Sequence, residues 1–199
     1  MNDLEKLANL IFPDAKSLEY YEGKYPKRKL DEGAIVTRFA PSPTGFTHIG
    51  GIYQCIIVNL ITKRSKGVAF LRIEDTDQER EIENGIVNII KDLKLFNINF
   101  DEGNINEEEY KGNYGPYKQS ERKDIYQAFA KHLIKEGKAY PCFLSKEELD
   151  EIRERQMKSK NRPGIYGIFA KYRDMPIDMA YKKIEKGEVV NSTILSNGR

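Results

Sequence analysis

Between residues 34 and 95 the apolar residues change twice from a strand pattern to a helix pattern, and this alternation limits the folds open to the chain. Residues 34–39 (AIVTRF) and 68–73 (VAFLRI) are short β-branched runs typical of buried strands. Each run precedes a segment with apolar residues at helical spacing, at 49–61 and 86–93. The order strand, helix, strand, helix predicts an α/β fold with a parallel sheet and crossover helices.

The composition is typical of a globular chain that buries a core: 199 residues, 39% apolar, 32% charged, with a net charge of +2. No apolar run approaches the roughly 18 residues of a membrane span, and the N-terminus lacks a signal-peptide layout. We therefore expect a soluble, cytoplasmic protein with no membrane partner. Cys55 and Cys142 are too few for a disulfide framework, and we expect both to be buried, reduced thiols.

The most restricted loop of the sequence, RFAPSPTGFTHIGG at residues 38–51, lies where the first strand ends and the first helix begins. In open parallel sheets, ligands bind beyond the carboxyl ends of the strands, and a helix N-terminus suits a phosphate. The two prolines remove loop freedom that binding would otherwise have to quench. Gly50 and Gly51 permit close approach of a ligand to the backbone, and His48 can donate a hydrogen bond to a phosphate oxygen.

Charged residues also lie at the ends of both predicted strands. Arg38 interrupts an apolar strand, and Arg72 and Glu74 end the neighbouring one. Charges at the ends of adjacent parallel strands point at one crevice. A small zwitterion would satisfy Arg38 with its carboxylate and Glu74 with its ammonium group.

Three motifs in order, RFAPSPTGFTHIGG, FLRIEDTDQER, and GPYKQSERKDIYQ with KEGKAYPCF, resemble the N-terminal half of bacterial glutamyl-tRNA synthetases, which are class I aminoacyl-tRNA synthetases. The resemblance covers roughly Ile35 to Val190. His-Ile-Gly-Gly at residues 48–51 corresponds to the first class-defining motif of the family. Ala-Pro-Ser at residues 40–42 is similar to the bacterial glutamate enzymes rather than to the glutaminyl enzymes.

The resemblance implies that the chain is an N-terminal fragment in three parts. These are an appendage at residues 1–33, the first half of a Rossmann-like, parallel-sheet catalytic domain at 34–115, and a truncated α+β insertion at 116–199 that receives the tRNA acceptor stem. The polar, glycine-bearing texture at residues 112–118 agrees with a boundary there. The second half of the fold, its lysine signature loop and the anticodon-binding helices would be missing. We therefore expect adenylation by these residues alone to be very weak or absent.

The activity implied by the resemblance is that of a glutamate–tRNA ligase. Such an enzyme uses ATP to activate L-glutamate as glutamyl-adenylate and then transfers the glutamyl group to the 3′ end of tRNA. The implied glutamate-binding residues are Arg38, Ala40, Ser42 and Glu74. The implied ATP-binding residues are Thr44, His48, Gly50 and Gly51, of which His48 and Gly50 are the catalytic pair. Mg²⁺ would accompany ATP, and positioning and electrostatics would do most of the catalysis.

A basic stretch, residues 153–173, carries seven basic residues and one acid. It indicates either contact with the phosphates of RNA or a solvated face, and the resemblance favours RNA. The candidate tRNA contacts are Arg153, Lys158 and Arg162, together with Gln119 and Arg122. For the last two, a helix start with Ser120 as its N-cap is the alternative.

Two family features lack a counterpart in the sequence. The string QMKSK at residues 156–160 imitates the lysine signature loop, but it follows a predicted capped helix from Lys146 to Met157, so we interpret it as a solvated helix end. Some relatives bind zinc through two pairs of ligands, whose matching positions here are Cys142, Leu144, Phe169 and Lys171. One ligand remains where four are needed, so we predict no zinc and no other protein-bound metal.

Two alternatives to the ligase stay open at this stage. One is a tRNA-modifying paralogue, similar to glutamyl-Q tRNA(Asp) synthetases, which zinc cysteines and a shorter N-terminus would favour. The other is a non-enzymatic module that binds RNA. The expected partners are tRNA, L-glutamate and ATP, and we expect a monomer. Discrimination between the glutamate and glutamine tRNAs depends on a region outside these residues.

Overall fold

The computed structural model of the chain describes residues 2–45, 47–77 and 79–196. These residues form two compact units. One is Tyr21–Asp124, and the other joins the chain up to Tyr20 with the chain from Ile125 onward. In chain order the elements are α1 (Asp3–Ile11), α2 (Leu18–Lys24), β1 (Val36–Phe39), α3 (Ile49–Ser65), β2 (Val68–Leu71), α4 (Gly85–Leu95), β3 (Glu102–Asn104), β4 (Tyr110–Lys111), α5 (Lys123–Lys135), β5 (Ala139–Cys142), α6 (Lys146–Lys158), α7 (Ile177–Glu185) and β6 (Ser192–Leu195).

The unit Tyr21–Asp124 is built on a four-stranded sheet in the order β1, β2, β3, β4. β1 pairs with β2 and β2 with β3 in parallel, whereas β4 runs antiparallel to β3. The register joins Val36 to Val68 and Phe39 to Leu71. α3 connects β1 to β2, and α4 connects β2 to β3. The predicted Rossmann-like parallel sheet with crossover helices is therefore confirmed.

One face of this sheet packs against α3. Side chains alternate along a strand, so Thr37 and Phe39 point to the helical side, where Thr37 Oγ1 lies 2.6 Å from Oγ1 of Thr62. Arg38 accordingly points to the opposite face. The buried cluster of this unit contains Phe39, Ile52, Cys55, Ala69, Leu71, Ile73, Ile86, Ile89, Ile90, Leu93, Ile98 and Phe100. Each isoleucine, leucine or phenylalanine of this cluster contributes about 1.5–3 kcal/mol when it is buried, which fixes the strand ends that carry the polar residues.

The orientation of α3 differs from the one that its sequence predicts. The predicted core face was Ile49, Ile52, Tyr53, Ile56, Ile57, Leu60 and Ile61, but of these seven only Ile52 is buried, and Ile49 is 76% exposed. The helix instead buries Ile52, Cys55 and Thr62. Because α3 is apolar around most of its circumference, periodicity cannot identify its inner side. β1 is likewise not the fully buried strand that was expected, since Val36 is 42% exposed.

The other unit has α+β character. β5 and β6 form an antiparallel pair, with Ala139 opposite Leu195. α6 opens with the predicted capping box, in which Ser145 Oγ accepts from the backbone N–H of Glu148 at 3.2 Å and the Glu148 carboxylate accepts from the backbone N–H of Ser145 at 2.8 Å. Cys142 is a buried thiol in this unit, as Cys55 is in the first, and both agree with the sequence prediction.

The N-terminal 33 residues are divided between the two units. In the first stretch, the Phe12 carbonyl accepts from Lys131 Nζ at 2.7 Å, whereas Arg28 forms an ion pair with Glu102 in the sheet unit. The chain passes from one unit to the other after Asp124, within α5. The division into domains at residues 33 and 115 stays a prediction. Within the described residues, no helix is both long and apolar enough to cross a membrane.

Candidate active site

The loop that follows β1 is held in place by the segment that follows β2. The Pro41 carbonyl accepts from the backbone N–H of Glu74 at 2.9 Å, and the Pro43 carbonyl accepts from that of Ile82 at 3.0 Å. The Pro43 side chain is fully buried. At the start of α4, a Cβ on Gly85 would lie 2.7 Å from the Pro43 carbonyl oxygen, so only glycine permits this packing. The restricted loop is thus fixed at both prolines.

His48 is the N-cap of α3, and its ring is part of the cap. Its Nδ1 accepts a hydrogen bond from the backbone N–H of Gly50 at 3.1 Å. When Nδ1 accepts, the neutral imidazole carries its proton on Nε2, which becomes a donor. His48 is therefore prepared to donate to an anionic oxygen. The N–H of Gly50 is occupied by the ring, and that of Gly51 by the His48 carbonyl at 2.9 Å, so fewer helix N–H groups are free than the sequence suggested.

The two glycines of the first helical turn differ in their surroundings. A Cβ on Gly50 would approach the His48 ring to 2.9 Å at Cε1 and 3.0 Å at Nδ1. A Cβ on Gly51 would meet nothing closer than 3.8 Å, at the Thr47 methyl group. Gly50 is therefore required by the position of His48, whereas Gly51 leaves room at the helix surface.

A cavity of about 620 Å³ opens between the loop and the start of α3. It is lined by Phe39, Ala40, Pro41, Ser42, Thr44, Gly45, Thr47, His48, Gly50, Gly51, Gln54 and Ile89. The structure thus brings together six of the eight residues that the sequence assigned to glutamate and ATP. The remaining two, Arg38 and Glu74, do not line it but form an ion pair of their own.

Two polar lining residues were missed by the sequence analysis. Gln54 lies one helical turn after Gly50 and Gly51 and shares their face, so its spacing would have indicated it. Thr47 has a buried Oγ1 without a hydrogen-bond partner among the described residues. No sequence pattern singles out Thr47, because its position depends on how the loop turns before His48.

The charged residues predicted to hold a zwitterion form one cluster. Oε1 of Glu74 lies 3.0 Å from Nη2 of Arg72 and 3.5 Å from Nη1 of Arg38. The Arg72 side chain is 17% exposed and that of Arg38 is 42% exposed. The cluster lies at the carboxyl ends of β1 and β2, where the sequence placed it, and Arg72 is a member that the sequence did not assign a role.

The acids that follow Glu74 are bound by protein donors. Asp75 is buried and accepts from the backbone N–H of Ser120 at 2.9 Å and from its Oγ at 2.6 Å. Ser120 therefore does not act as the predicted N-cap, because it is the first residue of a short 3₁₀ turn whose N-cap is Gln119. Asp77 accepts from Nε of Arg80 at 2.7 Å, and this bond holds the pKa of the Asp77 carboxyl below its usual value.

The candidate RNA contacts differ in accessibility. Arg122 is half-buried, and its Nη1 donates to the Pro116 carbonyl at 2.8 Å. The basic residues of α6 and the loop after it, Arg153, Lys158 and Arg162, are exposed. That loop is tied back to α6 by Gln156, which is 1% exposed and forms two hydrogen bonds of 2.8 Å with the backbone of Gly164.

A parallel sheet, a cavity beyond its carboxyl edge, and a histidine-capped helix that faces the cavity form the arrangement in which open α/β sheets bind nucleotides. Residues 34–189 match the family of class I tRNA synthetases (E and Q), catalytic domain. The chain belongs to this family.

The relatives agree on one activity. The chain is 55% identical over 185 residues to a glutamate–tRNA ligase of Clostridium perfringens, covering 92% of the chain and 34% of that protein. It is 48% identical over 189 residues to the glutamate–tRNA ligase of Acetivibrio thermocellus, covering 94% and 34%. A crystal structure of a glutamate tRNA ligase from Elizabethkingia meningosepticum, in complex with its amino acid, matches with a TM-score of 0.64 and 32% identity over 78% of the chain and 31% of that structure. The chain thus spans about a third of the length of these relatives.

Proposed function

We propose that the chain forms one side of the active site of a glutamate–tRNA ligase. At this site ATP and L-glutamate react to form glutamyl-adenylate. The observation that carries the proposal is the His48-capped start of α3, which faces a cavity of about 620 Å³ lined by Ala40 and Ser42. The charge cluster of Arg38, Arg72 and Glu74 lies on the same strand ends.

In this proposal Arg38 binds a carboxylate of glutamate and Glu74 binds its ammonium group, and Ser42 and Ala40 shape the adjoining cavity. Arginine binds a carboxylate in a fork, and a carboxylate pairs with an ammonium group. The Arg38–Glu74 ion pair, with its 3.5 Å separation, would then be exchanged for two contacts with the substrate. Arg38 then exchanges one carboxylate for another and Glu74 exchanges a guanidinium for an ammonium group, so neither side chain loses its counter-charge.

ATP would lie against the helix start, with Thr44, Gly50 and Gly51 along the nucleotide and His48 at the reacting phosphate. The glutamate carboxylate attacks the α-phosphorus, and pyrophosphate leaves with the electrons of the broken phosphoanhydride bond. Nε2 of His48 would donate to an oxygen of the phosphorus centre as its charge grows, which is where a preorganised donor lowers the barrier. No protein nucleophile is required.

Mg²⁺ would arrive with the phosphates of ATP rather than on protein ligands. The two acids that follow Glu74 agree with this, since Asp75 is bound by Ser120 and Asp77 by Arg80. When bound, the ion would offset phosphate charge. We propose no zinc site, because Cys142 is buried and the matching positions Leu144, Phe169 and Lys171 carry no zinc-binding side chains.

For the second step, transfer to tRNA, we propose that the exposed basic residues Arg153, Lys158 and Arg162 bind the phosphates of the acceptor stem. Gln119 and Arg122 are proposed as further contacts with the tRNA. The protein would act in the cytoplasm as a monomer.

Binding of a non-hydrolysable glutamyl-adenylate analogue tests the proposal. Titration calorimetry with the 199-residue chain should show binding that His48→Gln weakens and that ATP and L-glutamate together compete away. Pyrophosphate exchange by the same chain should be very weak or absent, because the match covers only 34% of the length of the Clostridium perfringens relative. A chain that binds tRNA but not the analogue would be the RNA-binding module. Robust glutamate-dependent exchange would refute the expectation that these 199 residues alone form glutamyl-adenylate very weakly or not at all.

A further inference from the structure

Arg72 belongs to the charge cluster but has no role of its own in the function proposed above, although it makes the shorter of the two contacts with Glu74. Its Nη2 donates to Glu74 Oε1 at 3.0 Å, whereas Nη1 of Arg38 reaches the same oxygen only at 3.5 Å. We propose that Arg72 is a positioning residue, which holds the Glu74 carboxylate in place for the α-ammonium group of glutamate. The inference rests on the proposed glutamate site and adds a residue to it.

The backbone makes Arg72 the fixed member of the cluster. Its N–H donates to the Phe39 carbonyl at 3.0 Å, so the residue continues the pairing of β2 with β1 by one step. Two residues later the N–H of Glu74 donates to the Pro41 carbonyl at 2.9 Å. Arg72 and Glu74 are therefore both anchored to the β1 side of the sheet, and their side chains meet on one face because they are two residues apart in extended chain.

The two arginines differ in how deeply their side chains are buried. The Arg72 side chain is 17% exposed, and its Nε is buried without a hydrogen-bond partner among the described residues. The Arg38 side chain is 42% exposed and contacts Glu74 at a distance beyond a hydrogen bond. A ligand that enters from solvent therefore displaces Arg38 from Glu74 more easily than it displaces Arg72.

Both arginines approach Oε1, and among the described residues no hydrogen bond is made to Oε2 of Glu74. An ammonium group can therefore bind Oε2 while Arg72 stays on Oε1. Arg38 is then free to turn to a substrate carboxylate. The cluster of two guanidinium groups and one carboxylate carries a net charge of +1, which complements glutamate, whose two carboxylates and one ammonium group sum to −1.

The test compares L-glutamate with glutarate, which has both carboxylates but no α-ammonium group. Dissociation constants are measured on the 199-residue chain by ligand-observed NMR. For Arg72→Met, which keeps the aliphatic length, we expect glutamate affinity to fall about tenfold, the size of one charge-assisted hydrogen bond. Glutarate affinity should change much less, so the preference for glutamate over glutarate is lost. Arg72→Lys should recover part of the preference, and Arg64→Gln, at an exposed arginine of α3, serves as the matched control.

An equal loss for both ligands, or an unchanged preference, would overturn the role of Arg72 while leaving the glutamate site intact. If the unsubstituted chain binds neither ligand, the proposed function fails as well, so the two failures are distinguishable. A second measurement needs neither ligand nor Arg72→Met. In ¹⁵N NMR of arginine side chains, Glu74→Gln should speed rotation of the Arg72 guanidinium at least as strongly as that of Arg38. Release of Arg38 alone would refute the inference.

Discussion

Nδ1 of His48 accepts a hydrogen bond from the backbone N–H of Gly50 at 3.1 Å, and this contact fixes the imidazole at the edge of the cavity. It also explains why the residue two positions after the histidine has no side chain. The space that a Cβ would need at Gly50 is filled by the ring that it orients.

Gly50→Ala should therefore displace the His48 ring. The new Cβ would lie 2.9 Å from Cε1, so we expect the Nδ1 resonance to lose the shift typical of an accepted hydrogen bond in ¹⁵N NMR. Affinity for the adenylate analogue should fall about tenfold with the loss of one well-placed donor. Gly51→Ala is the control and should leave the His48 ring in place, since the nearest atom to its Cβ is the Thr47 methyl group at 3.8 Å. Both changes raise helix propensity by up to about 1 kcal/mol, so thermal stability does not separate them. Equal ring shifts in both variants would contradict the prediction.

The ion pair of Arg28 with Glu102 gives a prediction for stability. Arg28 lies in the segment that precedes β1, and Glu102 is the first residue of β3. The two guanidinium nitrogens of Arg28 donate to the two carboxylate oxygens of Glu102 at 2.5 and 2.6 Å, and the side chains are only 18% and 13% exposed. Arg28→Met leaves the Glu102 carboxylate partly buried without its cation, which should lower the free energy of unfolding by about 2–4 kcal/mol. Urea denaturation measures the change. Lys29→Met, at the exposed neighbouring cation, should change the free energy by less than about 0.5 kcal/mol, and similar losses in the two variants would argue against a specific clamp.

The same ion pair should make the free energy of unfolding depend on pH in the acid range. The hydrogen bond from Arg28, and next that from Tyr117, lower the pKa of Glu102 below its usual 4.5. A carboxyl whose pKa is lower in the folded state stabilises the fold fully above the unfolded pKa, and this stabilisation is lost as the pH falls through the folded value. Glu102→Gln should therefore reduce the loss of unfolding free energy between pH 7 and pH 3. Glu107→Gln, at an exposed acid, should not reduce it.

The order of strands and helices was predictable from the sequence because it depends on local patterns. The short apolar runs that end at Phe39 and Leu71 and the capping box at Ser145 need no information beyond a few neighbours. The inner side of α3 was not predictable, since isoleucines surround the helix and only the sheet beneath it selects Ile52 and Cys55. The local sequence determines whether a segment forms a helix or a strand, and packing determines which side of a helix faces the core.

Two isoleucines of α3, one turn apart, test this difference. Ile52 is 3% exposed and Ile56 is 41% exposed. Ile52→Ala leaves a cavity in the core and should cost about 2–5 kcal/mol of unfolding free energy. Ile56→Ala should cost less than about 1 kcal/mol, because its side chain already contacts solvent. Chemical denaturation of the two variants compares identical changes in the same helix, and equal costs would mean that the outer face of α3 is packed in solution.

For the site, too, residues marked by local sequence patterns were predictable, and residues placed by tertiary packing were not. His48, Gly50 and Ser42 were found because motif and loop chemistry mark them, and they do line one cavity. Arg72 was seen as a charge without a role, because the distances to Glu74 depend on how β2 pairs with β1. Gln156, which ties the basic loop to α6 through Gly164, lay inside a string that the sequence indicated only as a solvated helix end.

Salt dependence separates RNA binding by the basic stretch from a merely solvated face. Lys158 on α6 is 79% exposed and makes a 3.5 Å pair with Glu154, and Lys182 on α7 is 69% exposed and makes a 3.6 Å pair with Asp178. If Lys158 neutralises a phosphate, Lys158→Met should reduce the slope of log affinity against log salt by about 1. Lys182→Met removes the same charge outside the stretch and should leave the slope unchanged. Filter binding of labelled tRNA between low and physiological salt gives both slopes, and the loss should be the same for an unrelated RNA hairpin because phosphate contacts carry no sequence information. Equal slopes for the two variants would assign the basic stretch to solvent.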